Sequence, residues 1–340
     1  MKTQHLANTE FEFELAGMRA PELTAQLEFL PLLYASANDV VLVHSLPKPE
    51  YIDALQQHPL MRDQRLPELR LIEDYDPSLP LECWGWAPSL RRFIHEMPSA
   101  EAVALANSKA FSFAQCPSLP KATLLKTESD LRQWLLSFEG PKILKSCFGV
   151  AGGGRKRIDG SDASKAVLRF CEAEWKAQRP VLAEPWVERI LDFSSQWMLY
   201  PDGSHAFYCL SMMDNSASGV YQGTTIGPKD WAKTQIGPYA DRHLELCQDT
   251  LKALHQAGYW GPLGVDAMLY NWDGALALHP IVEINARGTM SWATWKLQQR
   301  WAPDGLLQLG YIKAEEAAFE WLPSSIEGRV FPRQLRIELR

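Results

Sequence analysis

Gly264-Val265-Asp266-Ala267-Met268 and Pro280-Ile281-Val282-Glu283-Ile284-Asn285-Ala286-Arg287 are two apolar runs, each broken by a carboxylate, on either side of Asn271-Trp272-Asp273-Gly274. Alternation of apolar and polar residues is the signature of a half-buried strand, and an Asp-Gly between two such runs reads as a hairpin turn. Cross-strand neighbours in a hairpin lie ~5 Å apart, so Asp266 and Glu283 converge on one face. Glu283 and Asn285, two residues apart, point the same way, and Arg287 joins them if the strand continues. Two carboxylates and an amide oxygen are hard ligands that suit Mg²⁺, with phosphate and water completing the shell. A guanidinium beside them can neutralise a transferred phosphate or an acyl phosphate. The same pattern also describes two solvent-facing carboxylates on an edge hairpin.

Upstream, Lys145-Ser146-Cys147-Phe148-Gly149-Val150-Ala151-Gly152-Gly153-Gly154-Arg155-Lys156 ends a strand in a glycine-rich loop flanked by cations. Consecutive glycines let backbone N–H groups approach phosphate oxygens, and Lys145, Arg155 and Lys156 supply charge. Neither a P-loop nor a dinucleotide fingerprint fits the spacing, and a plain surface turn is the competing reading. Between loop and hairpin lies Ala183-Glu184-Pro185-Trp186-Val187-Glu188, followed by Asp192. A strand leaving a proline hinge can offer backbone groups to an adenine edge while Trp186 and Val187 pack on the ring, and a later carboxylate can take ribose hydroxyls. Equally, Glu-Pro-Trp can be a simple strand end.

The remaining sequence supplies α and β signals in alternation. Val40–His44 reads as a buried strand and Tyr51–Gln57 as a helix, whereas the prolines between Pro59 and Pro98 predict an irregular connector. Helices are expected from Ser99 toward Cys116, over 127–138, 161–178, 240–257 and 290–301, and a further hairpin around Pro201-Asp202-Gly203. The polar segment Ser211–Gly227 reads as an irregular stretch, either lining a cleft or lying on the surface. Hairpins mixed with helices predict an α+β or mixed α/β fold rather than one doubly wound sheet. At 340 residues with 46% hydrophobic and 22% charged residues, the chain is globular and long enough for two or three domains. A net charge of −7 offers no overall positive field for nucleic acid or anionic membrane. There is no apolar run long enough to span a bilayer and no signal-peptide layout among the first 30 residues. The six dispersed cysteines read as reduced core residues, so a cytoplasmic location is expected.

Taken in order, these pieces resemble the ATP-grasp superfamily over roughly residues 100–300. The matching parts are the Asn107-Ser108-Lys109 helix start, Lys145, the flap Gly149–Gly154, the Glu184-Pro185-Trp186-Val187 hinge, Asp192, the Gly264-Val265-Asp266 strand and the Glu283-x-Asn285-x-Arg287 strand. The resemblance implies two α+β lobes gripping ATP (residues 106–312, with a nucleotide-binding small lobe at about 120–187 and a metal and catalytic lobe at about 188–312). A small α/β N-terminal domain (1–105) would precede them, and residues 313–340 would form a C-terminal extension. It further implies that Lys109 and Lys145 contact ATP phosphates and that Gly152, Gly153 and Gly154 close over them. Glu184 with the backbone of Trp186 and Val187 would bind adenine, Asp192 ribose. Asp266, Glu283 and Asn285 would hold two Mg²⁺ ions, with Mn²⁺ as a substitute, and Arg287 would meet the acyl phosphate. Gly264 stands where D-alanine–D-alanine ligases carry an arginine, and Lys229 is the nearest cation after the central hairpin for the γ-phosphate.

The activity implied is an ATP-dependent ligase that activates a small-molecule carboxylate as an acyl phosphate and joins it to an amine, an amino acid or small peptide. A homodimer is the default assembly. A carboxylate kinase, a thiol ligase, a non-catalytic ATP-binding module and a structural protein without nucleotide are the alternatives. None of these needs a catalytic histidine, and His44, His205, His243, His255 and His279 read as structural.

Overall fold

The computed structural model describes residues 2–17, 19–20, 23–116, 119–149, 154–216 and 219–340. Its N-terminal unit is a four-stranded parallel sheet in the order Glu68–Leu71, Val40–Val43, Gln4–Leu6, Leu81–Cys83. Val40–Val43 is buried throughout, as an inner parallel strand covered on both faces must be. The connector expected between Pro59 and Pro98 therefore contributes two strands. They are four and three residues long, too short for any periodicity to show before their neighbours are in place.

A small lobe follows, an antiparallel sheet in the order Thr123–Leu125, Val181–Pro185, Lys142–Lys145, Arg155–Ile158. Two helices, Glu128–Leu136 and Lys165–Lys176, pack on it around Leu131, Trp134, Leu144, Val167 and Cys171. The first helix is set by a capping box in which Thr127 and Asp130 satisfy each other's backbone N–H groups.

The large lobe is a seven-stranded antiparallel sheet running Ala275–Asn285, Gly261–Trp272, Glu188–Leu199, His205–Asn215, Tyr221–Ile226, Leu307–Lys313, Arg333–Leu339. The hairpin joining its first two strands turns at Asp273 (φ 52°) and Gly274 (φ 81°), the positive-φ pair that a tight two-residue turn demands. Tyr221–Ile226 is a strand inside the segment read as irregular, and residues 313–340 supply an edge strand paired along Leu307–Lys313. His243 is structural: its Nδ1 and Nε2 lie 2.8 Å from the Pro280 carbonyl and the Ser195 hydroxyl, tying the helix Tyr239–Gln256 to two strands. Burial lowers its pKa to about 4, so it is neutral at pH 7. No helix among the described residues is long and apolar enough to cross a membrane.

Candidate active site

The strand register builds the site. Asp266 lies opposite Glu283 on one side and Ser194 on the other, and Asn285 reaches across to donate from Nδ2 to Asp266 Oδ2 at 2.9 Å. The helix Lys109–Gln115 packs on the same strand through Ser112, whose Oγ accepts the Ile284 N–H, while Asn107 Oδ1 accepts that of Ala286. Ser108 caps this helix, and the Lys109 N–H is given to the Cys147 carbonyl of the small lobe. That anchoring delivers Lys109 Nζ to Glu283 Oε1 at 2.5 Å. Lys145 Nζ, at the end of its strand, lies 2.5 Å from Glu184 Oε2 on the neighbouring strand. Asp266, Glu283, Asn285, Lys109, Lys145 and Glu184 line one cleft of about 620 Å³ between the lobes, together with Gly154, Trp186, Val187, Asp192 and Arg287. Gly152 and Gly153 lie outside the described residues. Gly154 takes φ +70°, and a Cβ there would sit 2.2 Å from Ser146 Oγ, so only glycine fits this end of the loop.

The charges are unevenly compensated. Burial works to raise the Glu184 carboxyl, but Lys145 and His279 outweigh it and bring it down to about 2. Burial likewise opposes ionisation of Glu283, and Lys109 prevails, so this carboxyl sits below its ordinary range. Asp266 differs: burial and then the Glu283 charge push it up to about 6, with only partial relief from Ser194, Arg287 and Asn285. A buried carboxylate pair short of positive charge, with an amide alongside, is a donor set that fits a divalent cation. Among the described residues no three His, Cys, Asp or Glu are placed to hold a metal ion between them, so the set suits Mg²⁺ shared with phosphate rather than an all-protein metal cage.

This asymmetry carries a pH signature. Asp266 has a folded pKa near 6 against an ordinary 3.8, so the metal-free fold binds its proton more readily than the unfolded chain does. Its contribution to stability should fall as pH rises from about 4 to about 6 and stay low above that, an effect of roughly 2–3 kcal/mol. Asp266→Asn should be more stable than the parent at pH 7.5 and lose that advantage near pH 4. Urea denaturation at the two pH values without divalent ions checks it.

Glu12, Arg189, Tyr311 and Arg333 also line the cleft and had little or no signal in the sequence. Arg189 chelates Asp192 through Nε and Nη2, so the residue assigned to ribose carries its own cation. Arg155 donates to the Gly219 carbonyl, and burial with the nearby Arg189 lowers its pKa. Arg287 is held from three sides: Nη2 donates to Asn285 Oδ1, Nη1 to the Gly288 carbonyl, and Nε, buried without a hydrogen bond, lies 3.0 Å from Glu12 Oε2. Glu12 and Arg333 enter from opposite ends of the chain, and Tyr311 lines the wall beside them. The Trp186 N–H, a candidate for adenine, is already given to the Pro141 carbonyl. Lys229 is not among the lining residues. His279 is buried with neither ring nitrogen hydrogen-bonded, its Nε2 being 3.7 Å from Glu184 Oε1, too far for a hydrogen bond.

No protein-family description matches the sequence, and no curated protein matches it. Solved structures do match its fold. Phosphoribosylamine–glycine ligase from Thermotoga maritima superposes with a TM-score of 0.59 at 13% identity, over 98% of this chain and 91% of that one. The β-γ-ATP complex of biotin carboxylase from Campylobacter jejuni gives 0.55 at 14%, over 95% and 78%. N5-carboxyaminoimidazole ribonucleotide synthetase from Thermus thermophilus gives 0.53 at 15%, over 98% and 92%. The chain thus shares the ATP-grasp fold of these enzymes.

Proposed function

We propose that this protein is an ATP-dependent ligase that activates a small-molecule carboxylate and joins it to an amine, releasing ADP and phosphate. The observation that carries the reading is the facing of Asp266, Glu283 and Asn285 with Lys109 and Lys145 across one interlobe cleft. The fold shared with ligases whose structures hold ADP or ATP analogues supports nucleotide as the occupant. Trp186 and Val187 would flank adenine, with the Val187 N–H as hinge donor, and Asp192 would meet the ribose by parting from Arg189. Lys109 and Lys145 would leave their carboxylate partners for phosphate oxygens, and the loop ending at Gly154 would cover them. Asp266, Glu283 and Asn285 would hold Mg²⁺, which supplies charge neutralisation for the β- and γ-phosphates.

In the reaction, a carboxylate oxygen attacks the γ-phosphorus and the bond to ADP breaks, leaving an acyl phosphate. The amine nitrogen then attacks the acyl carbon, loses a proton and expels phosphate as the amide forms. Arg287 would stabilise the oxyanion of that second step, and the cleft would hold the reactants in line. Since Glu12 now faces Arg287 Nε, Glu12→Gln should loosen that guanidinium and lower kcat by about tenfold with a smaller change in KM for the carboxylate. Steady-state ADP release checks that split. The reaction class itself is tested by screening ADP release over paired carboxylates and amines, with mass spectrometry of products. Amine-dependent release of ADP and phosphate supports a ligase. Acyl phosphate without amide indicates a kinase, and Mg-ATP binding without turnover on any pair indicates a binding module.

A further inference from the structure

A second cavity, of about 310 Å³, is lined by residues of the N-terminal sheet and of the large lobe. Trp84 lines both this cavity and the interlobe cleft, and its carbonyl accepts the Gly288 N–H at 2.6 Å, directly beside Arg287. The cavity walls are mostly apolar and aromatic, from Trp84, Trp86, Trp260, Trp292 and Tyr34. The volume exceeds the roughly 150 Å³ that accommodates benzene, so a ring with a short side chain fits.

One wall is charged. His5 and Glu82 are adjacent across the parallel strands Gln4–Leu6 and Leu81–Cys83, and both line the cavity. His5 is 4% exposed, and its Nε2 lies 3.2 Å from Asp39 Oδ2. Its Nδ1 has no hydrogen-bond partner and lies 3.6 Å from Glu82 Oε1. The Glu82 side chain is 35% exposed despite its apolar surroundings. Both its oxygens accept from Lys296 Nζ, at 2.9 and 3.1 Å, and that ammonium lies 5.3 Å from the Tyr34 ring and 5.0 Å from the Trp292 ring. Asp39 and Glu82 bring two carboxylates to this cluster and Lys296 one ammonium. Tyr34 and Trp292 thus already flank one ammonium bound to Glu82, and aromatic faces beside a carboxylate are the chemistry that recognises organic cations.

We propose that this cavity is a second small-molecule site, binding an organic ammonium with a flat apolar body: the rings take the body, and Glu82 the cation. The site is independent of the ligase reading.

The test is calorimetric titration of the full-length protein with phenethylamine, its neutral analogue 2-phenylethanol and the anion 3-phenylpropanoate. Phenethylamine should bind saturably, at least about tenfold tighter than either analogue. Glu82→Gln should erase that preference. Leu81→Trp, which fills the cavity and removes no polar group, should abolish binding while the protein keeps its circular dichroism spectrum. Equal binding of all three compounds, no binding of phenethylamine at millimolar concentration, or binding indifferent to Leu81→Trp overturns the assignment.

Discussion

Glu283→Gln should lower ATP turnover by at least about 10³-fold while leaving the fold intact. The substitution removes a charge and no volume. Glu283 now carries two electrostatic relationships of opposite sign: it holds Lys109 Nζ, and it repels Asp266, contributing to the rise of that carboxyl to about 6. Losing the first costs stability and losing the second restores some, so the net change in unfolding free energy should be small beside the change in rate. Asp266 should then titrate nearer its ordinary 3.8. The remaining Asp266 and Asn285 make one anionic ligand instead of two, and Mg-ATP affinity should fall with turnover. Activity within about tenfold of the parent would mean that the carboxylate pair does not hold the metal.

The second large effect belongs to Lys145. Lys145→Ala leaves Glu184 buried without its cation, and breaking a buried pair from one side typically costs about 3–5 kcal/mol, limited here by protonation of the orphaned carboxyl. The pH profile should change with it. In the parent, Glu184 has a folded pKa near 2 against an ordinary 4.5, so its stabilisation is complete above about 4.5 and lost as pH falls toward 2. Without Lys145 the folded pKa should rise above the ordinary value, so that stability declines with increasing pH through that range. Lys145→Ala with Glu184→Gln should recover most of the stability, because a neutral amide tolerates burial better than an unpaired charge. Neither variant should recover the thermal shift given by Mg-ATP, since the phosphate-facing cation is gone from both. Denaturant titration separates the structural effect from the binding effect. Full recovery of the nucleotide response in the double variant would assign Lys145 to holding Glu184 alone.

Local chemistry in the sequence reached far into this molecule. Alternating apolar residues around Asp266 and Glu283, with Asp273-Gly274 between them, specified a hairpin with both carboxylates on one face, because a period of two and a positive-φ turn are properties of a few adjacent residues; that this face turns to the cleft came from the structure. Caps at Ser99 and Thr127 marked helix starts for the same reason, whereas the single helix read from Ser99 toward Cys116 ends at Ala106 and restarts at Lys109 under a second cap, Ser108. The strands Gln4–Leu6, Leu81–Cys83 and Arg333–Leu339 were not legible, since strands of that kind are fixed by partners remote in the chain. The pairing of each lysine with its carboxylate was equally hidden: Lys109 meets Glu283 across 174 positions, and the choice depends on burial, which strengthens a charge pair that water would otherwise screen. Residue types and spacing thus determined which groups could do chemistry. Tertiary packing alone brought Glu12 to Arg287 and Arg333 to the same cleft, because contacts between the two ends of a chain leave no periodic trace in its sequence.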